Sequence, residues 1–148
     1  MKIAAAMLLG AASLVSNAAE RATAPEAEAM VKKAITQIKV NRDKIITEVS
    51  TPKGPFHDRD LYLVVFKMDG TVLAHGFNQK MIGKNLMDMR DIDGREWVRE
   101  RMDALKTRSS LWQDAKLVDP VTRKIEVKAV YCEKAPGDLL VCGGVYKL

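Results

Sequence analysis

Few residues of this chain could carry covalent or metal chemistry. The 148 residues include two histidines and two cysteines. His57 precedes Asp58 and Asp60, and this group could form one corner of a metal site. A metal site needs three or four converging ligands, and the sequence has no H-x-x-x-H or C-x-x-C motif to complete one. We therefore expect no metal, and we interpret the group as a charged entrance to a strand.

An enzyme is one of three function classes to consider, beside a ligand-binding module and an interaction protein. The chain contains no G-x-S-x-G nucleophile elbow and no glycine-rich phosphate loop. Neither His57 nor His75 has a nucleophile at a motif spacing. The sequence thus predicts no catalytic residues and no cofactor.

The two cysteines could form a disulfide. The flanking runs, Ile125–Glu133 and Leu139–Tyr146, have the pattern of antiparallel strands around a turn at Gly137. In that register Cys132 lies directly opposite Cys142, with Cα atoms about 4.5–5.5 Å apart, a separation that a disulfide can bridge. Two buried free thiols are the alternative, because a slip of one residue would place the side chains on opposite faces.

Two apolar runs upstream, Leu61–Phe66 and Thr71–His75, predict a β-hairpin. The pair Asp69-Gly70 between them favours a type I′ turn, which needs positive φ at both central residues. In the resulting register Phe66 pairs with Leu73. The turn therefore fixes which side chains share a face of the sheet.

One face of this hairpin has polar side-chain tips. The register places Tyr62, Val64, Phe66, Leu73 and His75 on one face, and Leu63, Val65, Val72 and Ala74 on the other. Both faces are apolar, so both should be covered by other elements. Because Tyr62 and His75 end in polar groups, their face is the better candidate for the wall of a pocket.

The first residues have the composition of an export signal. Lys2 precedes an apolar run, Ile3–Val15, and Ser16–Ala18 provides a cleavage site of small residues. We expect a signal peptide at residues 1–19 and an exported, periplasmic protein. An uncleaved membrane anchor is the alternative, although a bilayer span needs about 20 apolar residues. No later stretch approaches that length, so we predict no transmembrane segment.

The net charge of +5 favours small anions or anionic surfaces over nucleic acid as binding partners, although we interpret the charges first as a mixed, solvated surface. The basic residues are interspersed with acidic ones, as in RDIDGREWVRERMD, and do not form a stripe with stacking aromatic residues. We therefore expect no nucleic-acid binding.

A long amphipathic helix is predicted over residues 23–49. It begins at Thr23, which forms a capping box with Glu26, and apolar residues then recur at helical spacing. The apolar stripe is interrupted by polar residues at Asn41-Arg42. We interpret this gap as a solvent-exposed middle of the helix, with a kink or a polar contact as the alternatives.

The chain from residue 57 onward predicts an α+β core. A second helix follows Asp93, which caps it, and contains Trp97. Three further strands are expected at about 111–118, 124–133 and 139–147. With the hairpin they give a five-stranded antiparallel sheet, packed against the long helix on one face and a helical lid on the other. Residues 20–148 then form a single domain.

Several short blocks of the sequence follow one another in an order that is typical of a known family. The blocks are DLYLVVFKMDGTVLAHG, IGKNL, RDIDGREWV, the region of Trp112, DPVTRK, VKAVY and the closing GGVY. From about residue 31 onward the chain resembles the extracytoplasmic single Cache domain of the second type, a PAS-like sensor family. The resemblance implies binding of a small organic molecule, commonly a short carboxylate, between the sheet and its lid. Signalling would then require a partner such as a membrane-bound sensor or chemoreceptor.

The resemblance also suggests which residues bind the ligand. A buried carboxylate needs a cation and hydrogen-bond donors. Lys128 matches the family's strand lysine and is the first candidate for that cation, and Tyr146 lies opposite it in the predicted register. Tyr131 also matches, but strand alternation places it on the face opposite to Lys128. The remaining predicted ligand-binding residues are Tyr62, His75 and Trp112 as donors and Trp97 as an apolar wall.

Two positions depart from the family pattern. Leu111 stands where relatives usually have glycine, and Ala115 stands where they usually have an aromatic residue. The missing aromatic predicts a reshaped ligand site, so the ligand of a relative cannot be carried over. An interaction protein that docks onto a membrane sensor, with a filled pocket, remains the alternative function.

Overall fold

The computed structural model describes residues 20–147, which contain three α-helices and six β-strands. The helices are α1 (Ala24–Ile38), α2 (Arg42–Val49) and α3 (Trp97–Ala104). The strands are β1 (His57–Asp58), β2 (Leu61–Lys67), β3 (Val72–His75), β4 (Ser110–Val118), β5 (Ile125–Ala135) and β6 (Leu139–Tyr146). A 3₁₀ helix at Gln79–Met81 lies in the crossing between β3 and α3.

The strands form one antiparallel sheet in the order β1-β2-β6-β5-β4, and β3 pairs with β2. Because β1 contributes two residues, the sheet consists in the main of the other five strands. β2 pairs with β6, the last strand of the chain, so the sheet joins the two halves of the sequence. The predicted α+β class and five-stranded antiparallel sheet are confirmed.

The hairpin of β2 and β3 turns through a three-residue loop, and the predicted type I′ turn is wrong. Gly70 has a φ of +91°, whereas Asp69 keeps a negative φ. The Gly70 amide donates to the Lys67 carbonyl at 3.0 Å, and the Lys67 amide donates to the Thr71 carbonyl at 2.8 Å. This pattern is a type I turn followed by a residue in the left-handed region, which glycine adopts without steric strain.

The longer loop shifts the register of the hairpin. Val64 pairs with His75 as predicted, whereas Phe66 pairs with Val72 and not with Leu73. One extra residue exchanges the faces of the side chains next to the turn. Val72 therefore packs near Phe66 under the lid, and Leu73 packs against the cluster below the helices.

The predicted single helix over residues 23–49 is corrected to two helices. α1 ends at Ile38, and Asn41 leaves the helical conformation with a φ of −150°. The Asn41 side-chain oxygen accepts a hydrogen bond from the Lys44 amide at 3.1 Å. Asparagine favours this N-cap position because its short side chain satisfies an amide that has no partner inside the helix. The polar gap in the stripe is therefore a helix break.

The sheet is covered on both faces, as the hairpin pattern predicts. α1 and α2 cover one face, where the core includes Val31, Ile35, Phe56, Leu63 and Val65. The crossing and α3 form the lid over the other face, where the core includes Phe66, Trp97, Met102, Val130 and Leu140. The long N-terminal helical segment and the helical lid thus occupy the predicted layers.

The Cys132–Cys142 disulfide joins β5 to β6. The two residues pair directly in the ladder, with Cα atoms 4.2 Å apart. Both side chains are buried in the cluster under the lid. The predicted register and bond are confirmed, and the alternative of two free thiols is wrong.

The predicted signal peptide, residues 1–19, lies outside the described residues. Between residues 20 and 147, no helix is both long enough and apolar enough to cross a bilayer.

Candidate functional site

A cavity of about 740 Å³ lies between the sheet and the lid. Its floor consists of alternate residues of three neighbouring strands, because every second side chain of a strand points to the same face. These residues are Tyr62, Val64 and Phe66 of β2, Lys128 and Val130 of β5, and Cys142, Gly144 and Tyr146 of β6. Its roof includes Met81, Leu86, Trp97 and Arg101. The size is that of a pocket for a small organic molecule.

Lys128 places a buried cation at the floor of this cavity. Its residue is 4% exposed, and its Nζ lies 4.0 Å from the centroid of the Tyr62 ring. The nearby lysines Lys116 of β4 and Lys147, which follows β6, pair with carboxylates, whereas Lys128 has no carboxylate partner within residues 20–147. An aromatic face stabilises an ammonium only in part. An anion in the cavity could therefore pair with the ammonium of Lys128.

Tyr146 lies opposite Lys128 in the ladder, as predicted. Its hydroxyl donates to the Val118 carbonyl at 3.0 Å, and burial raises the pKa of the phenol well above its usual value. The Lys128 Nζ faces the Tyr146 ring, 5.0 Å from its centroid. The ring of Tyr146 thus contacts the cation, while its hydroxyl proton is already donated to Val118.

Gly144 makes room for the lysine stem. A Cβ at this position would lie 2.7 Å from the Ala129 carbonyl oxygen and 3.1 Å from the Cε of Lys128. Any side chain would push β5 or the lysine aside. Gly144, in the closing GGVY block, therefore shapes the site although it has no side chain that could bind a ligand.

His75 supplies a hydrogen-bond donor to the same cavity. Its Nδ1 accepts hydrogen bonds from the amides of Phe77 (3.2 Å) and Asn78 (2.9 Å). Burial, and secondarily the charge of Lys128, lower the pKa of His75 to about 4. The imidazole is therefore neutral at pH 7 with its proton on Nε2, where it can donate. The Tyr62 ring stacks on His75 with centroids 5.4 Å apart.

We expect His75 to make the fold sensitive to mild acid. The unfolded chain binds a proton at His75 near the ordinary pKa of 6.5, whereas the folded protein resists it down to about 4. Protonation thus favours the unfolded state as pH falls through this window, and the free energy of unfolding should drop by about 2–3 kcal/mol between about pH 7 and pH 4.5. Urea unfolding at both pH values measures this loss.

His75→Asn should remove most of that loss, because asparagine keeps an acceptor for the two amides but does not titrate. His57→Asn is the matched control, since His57 does not line the cavity. An equal pH dependence in wild type and His75→Asn would contradict the assignment.

Arg101 is a second buried cation, and the sequence did not predict it as a site residue. It is 1% exposed, and burial lowers its pKa to about 9, so it still carries its charge at pH 7. Its Nε donates to Gln113 Oε1 at 3.0 Å, and its Nη1 lies 3.6 Å from the Cys142 sulfur. Its Nη2 is buried without a hydrogen-bond partner among the described residues.

A signal for Arg101 is present in the sequence. The buried stripe of α3 consists of Trp97, Val98, Arg101 and Met102. A charged residue on the buried stripe of an amphipathic helix contradicts the expected pattern, and it therefore marks a position to examine for function.

Trp97 forms part of the roof, as predicted for the lid. It is 7% exposed, and the guanidinium of Arg101 lies over its ring, with Cζ 4.8 Å from the centroid. Its Nε1 is buried and has no hydrogen-bond partner within residues 20–147. Trp97 thus belongs both to the core and to the cavity wall, and it offers an unused donor.

The structure does not bring Trp112 to the cavity. Trp112 pairs with Tyr131, whereas Lys128 pairs with Ala115. Because neighbouring positions on a strand point to opposite faces, Trp112 and Tyr131 lie on the α1 side of the sheet. Their rings contact each other at 5.3 Å, and Trp112 is 42% exposed. Tyr131 thus lies opposite to Lys128 as predicted, and the donor role of Trp112 is corrected.

The charges that line the cavity are mostly positive. Five basic residues line it, namely Arg90, Arg101, Lys116, Arg123 and Lys128. Asp91 is the one acidic residue of the described chain that lines it. No group of three or more potential metal ligands occurs within residues 20–147. The cavity therefore has the charge of an anion-binding site.

A model of the family described as Single Cache domain 2 matches residues 1–147 of the chain. The chain matches no curated protein.

The fold is similar to three solved sensor structures. A methyl-accepting chemotaxis protein from Vibrio parahaemolyticus has a TM-score of 0.65 and 20% identity, over 82% of this chain and 86% of that chain. A periplasmic sensor domain of a chemotaxis protein has a TM-score of 0.65 and 18% identity, over 82% and 88%. A Cache chemosensory domain, described for carboxylic acid recognition, has a TM-score of 0.69 and 15% identity, over 82% and 91%. At these identities the likeness shows a shared fold.

Proposed function

This chain belongs to the Single Cache domain 2 family, and on that basis we propose that it binds a small carboxylate in the cavity between sheet and lid. The family is a sensory, non-enzymatic one, which confirms the expectation that the chain is not an enzyme. One observation carries the proposal: the ammonium of Lys128 is buried at the cavity floor without a carboxylate partner among the described residues.

The surroundings of Lys128 fit a carboxylate. A buried charge is stabilised when it is paired and hydrogen-bonded, so a bound carboxylate would satisfy Lys128 and be satisfied by it. The Nε2 of His75 and the hydroxyl of Tyr62 are available as further donors at the same wall. The solved Cache domain that recognises carboxylic acids has a similar fold, which supports this ligand class.

The alternative of a docking protein predicts a filled pocket. A cavity of about 740 Å³ is far larger than the voids that remain in a packed core, so it favours the ligand-binding function. We further propose that the protein is exported to the periplasm and that a membrane-bound sensor or chemoreceptor receives its signal. The solved periplasmic sensor domain with a similar fold supports this location.

A thermal-shift screen of the protein tests the proposal. Carboxylates, amino acids, amines and purines are added separately over a range of concentrations. A ligand that binds only the folded state raises the melting temperature, by an amount that grows with its concentration. We expect carboxylates to raise it and amines to leave it unchanged. A screen in which no carboxylate raises the melting temperature would overturn the proposal, and a screen in which no compound raises it would favour the docking protein.

A further inference from the structure

Building on the proposed function, we infer that the ligand carries an anionic group at each end, one held by Lys128 and the other by Arg101. Dicarboxylates and similar two-headed anions are then the ligand class. The family resemblance suggested one cation, Lys128. Arg101 is a second cation, which lies in the lid and outside the sequence blocks that carry the resemblance.

The two cations lie at different points along the cavity, Lys128 in its floor and Arg101 in its roof. Arg101 contacts Cys142, and its Cζ lies 6.0 Å from the centroid of the Phe66 ring. The Nζ of Lys128 lies 4.0 Å from the centroid of the Tyr62 ring, and its Cε lies beside Gly144. Gly144 is two residues from Cys142 on β6, and Tyr62 is four residues from Phe66 on β2, which corresponds to about 7–13 Å along the strands. A ligand with an anionic group at each end could therefore contact both cations at once.

The Arg101 end of the cavity has donors but lacks acceptors for them. The Nη2 of Arg101 and the Nε1 of Trp97 are both buried without hydrogen-bond partners among the described residues. Buried donors without partners destabilise a protein, so such groups are rare unless something binds there. Both are N–H groups, and the missing partner must therefore be an acceptor. An anion suits the guanidinium best, because its planar fork matches a carboxylate.

The space between the two ends is apolar. Val64 pairs with Cys142 and Val130 pairs with Gly144, and both line the floor there. An aliphatic chain would fit this lining, and the cavity is large enough for a molecule that is longer than a short carboxylate. The combination of charged ends and an apolar centre matches a chain with an acid group at each end.

Asp91 offers a competing ligand chemistry. It also lines the cavity, and its Oδ2 is buried without a hydrogen-bond partner among the described residues. Its Oδ1 already accepts from the amides of Asp93 and Arg95, both at 3.0 Å. An amine could bind Asp91 while a carboxylate binds Lys128. The two cases differ in the charge at the second end of the ligand.

Three matched series of straight-chain compounds separate these cases. Calorimetry measures the affinity of the wild-type protein for dicarboxylates, monocarboxylates and ω-amino carboxylates of equal and increasing length. We expect the best dicarboxylate to bind about tenfold to a hundredfold more tightly than the monocarboxylate of the same length. Equal affinities at every length, or a preference for the ω-amino compound, would overturn the inference. No binding in any series would instead overturn the proposed function.

Arg101→Met tests the residue. Methionine fills a similar volume without a buried charge, so the fold should be retained. The variant should lose most of the difference in affinity between a dicarboxylate and the monocarboxylate of the same length. Arg101→Lys, which keeps the charge but lacks the fork, should retain part of that difference. It provides the test if the methionine variant does not fold.

Arg99→Met on the same helix is the matched control, because Arg99 pairs with Glu96 and Asp88 and does not line the cavity. If either Arg101 variant prefers dicarboxylates over monocarboxylates as strongly as Arg99→Met does, Arg101 is not part of the site.

Discussion

Lys128→Met should weaken carboxylate binding at least about thirtyfold, since truncating one partner of a buried charge pair costs about 2–5 kcal/mol. Methionine leaves a ligand carboxylate in an apolar cavity without the cation that faces it. The hydroxyl of Tyr146 cannot replace that cation, because it already donates to Val118. Calorimetric titration with the tightest ligand of the wild type measures the loss.

The same variant should not weaken the ligand-free fold. Lys128 is a buried charge without a carboxylate partner within residues 20–147, and an apolar side chain of similar length removes its desolvation penalty. The free energy of unfolding in urea should therefore stay the same or increase. Opposite changes in binding and in stability distinguish a ligand-binding lysine from a lysine that only supports the fold.

Lys134→Met is the matched control for this experiment. Lys134 lies on the same strand, is exposed and does not line the cavity. Its replacement removes the same charge from the protein, so the affinity should remain near that of the wild type. If Lys128→Met and Lys134→Met bind the ligand equally well, Lys128 is not the cation of the site.

Reduction of the Cys132–Cys142 disulfide should lower the free energy of unfolding by about 3 kcal/mol. The bond joins residues ten positions apart, so it closes a short loop and restricts the unfolded chain. Unlike a substitution, reduction keeps all side-chain carbons and leaves no cavity. Urea unfolding of the same preparation with and without a reductant measures the difference.

The double variant Cys132→Ala/Cys142→Ala provides the control for effects of the reductant itself. Its stability should be lower than that of the oxidised wild type and should not respond to the reductant. A wild-type protein whose unfolding curve is the same under both conditions would contradict a stabilising bond. Because Cys142 also contacts Arg101, the ligand affinity of the reduced protein should be measured alongside.

The elements that depend on local pattern could be predicted well. The opposition of Cys132 to Cys142, and of Lys128 to Tyr146, followed from the position of one turn between two adjacent strands. Strand alternation then assigned each side chain to a face. These features depend only on residues that are close in sequence, and the spacing of apolar residues and the turn residues can be read directly there.

Local predictions failed where a single residue changed the length of a loop or ended a helix, and where the register between two strands was not defined. The glycine at position 70 allowed a longer loop than the type I′ turn, and this exchanged the faces of Val72 and Leu73. The face of Trp112 depended on the register of β4 against β5, which the sequence did not define. Asn41 broke the predicted helix because an N-cap hydrogen bond outweighed continuation of the apolar stripe.

By itself the sequence determined the class of fold, which follows from periodicity, and the opposition of the two cysteines, which follows from short-range register. Lys128 was suggested by the resemblance to a known family. Only the tertiary structure decided the charge of the whole cavity. Arg101 meets Cys142 across 41 positions of sequence, and its burial depends on how α3 packs over the sheet. A contact between distant residues is set by the packing of complete layers, and no local pattern of residues encodes it.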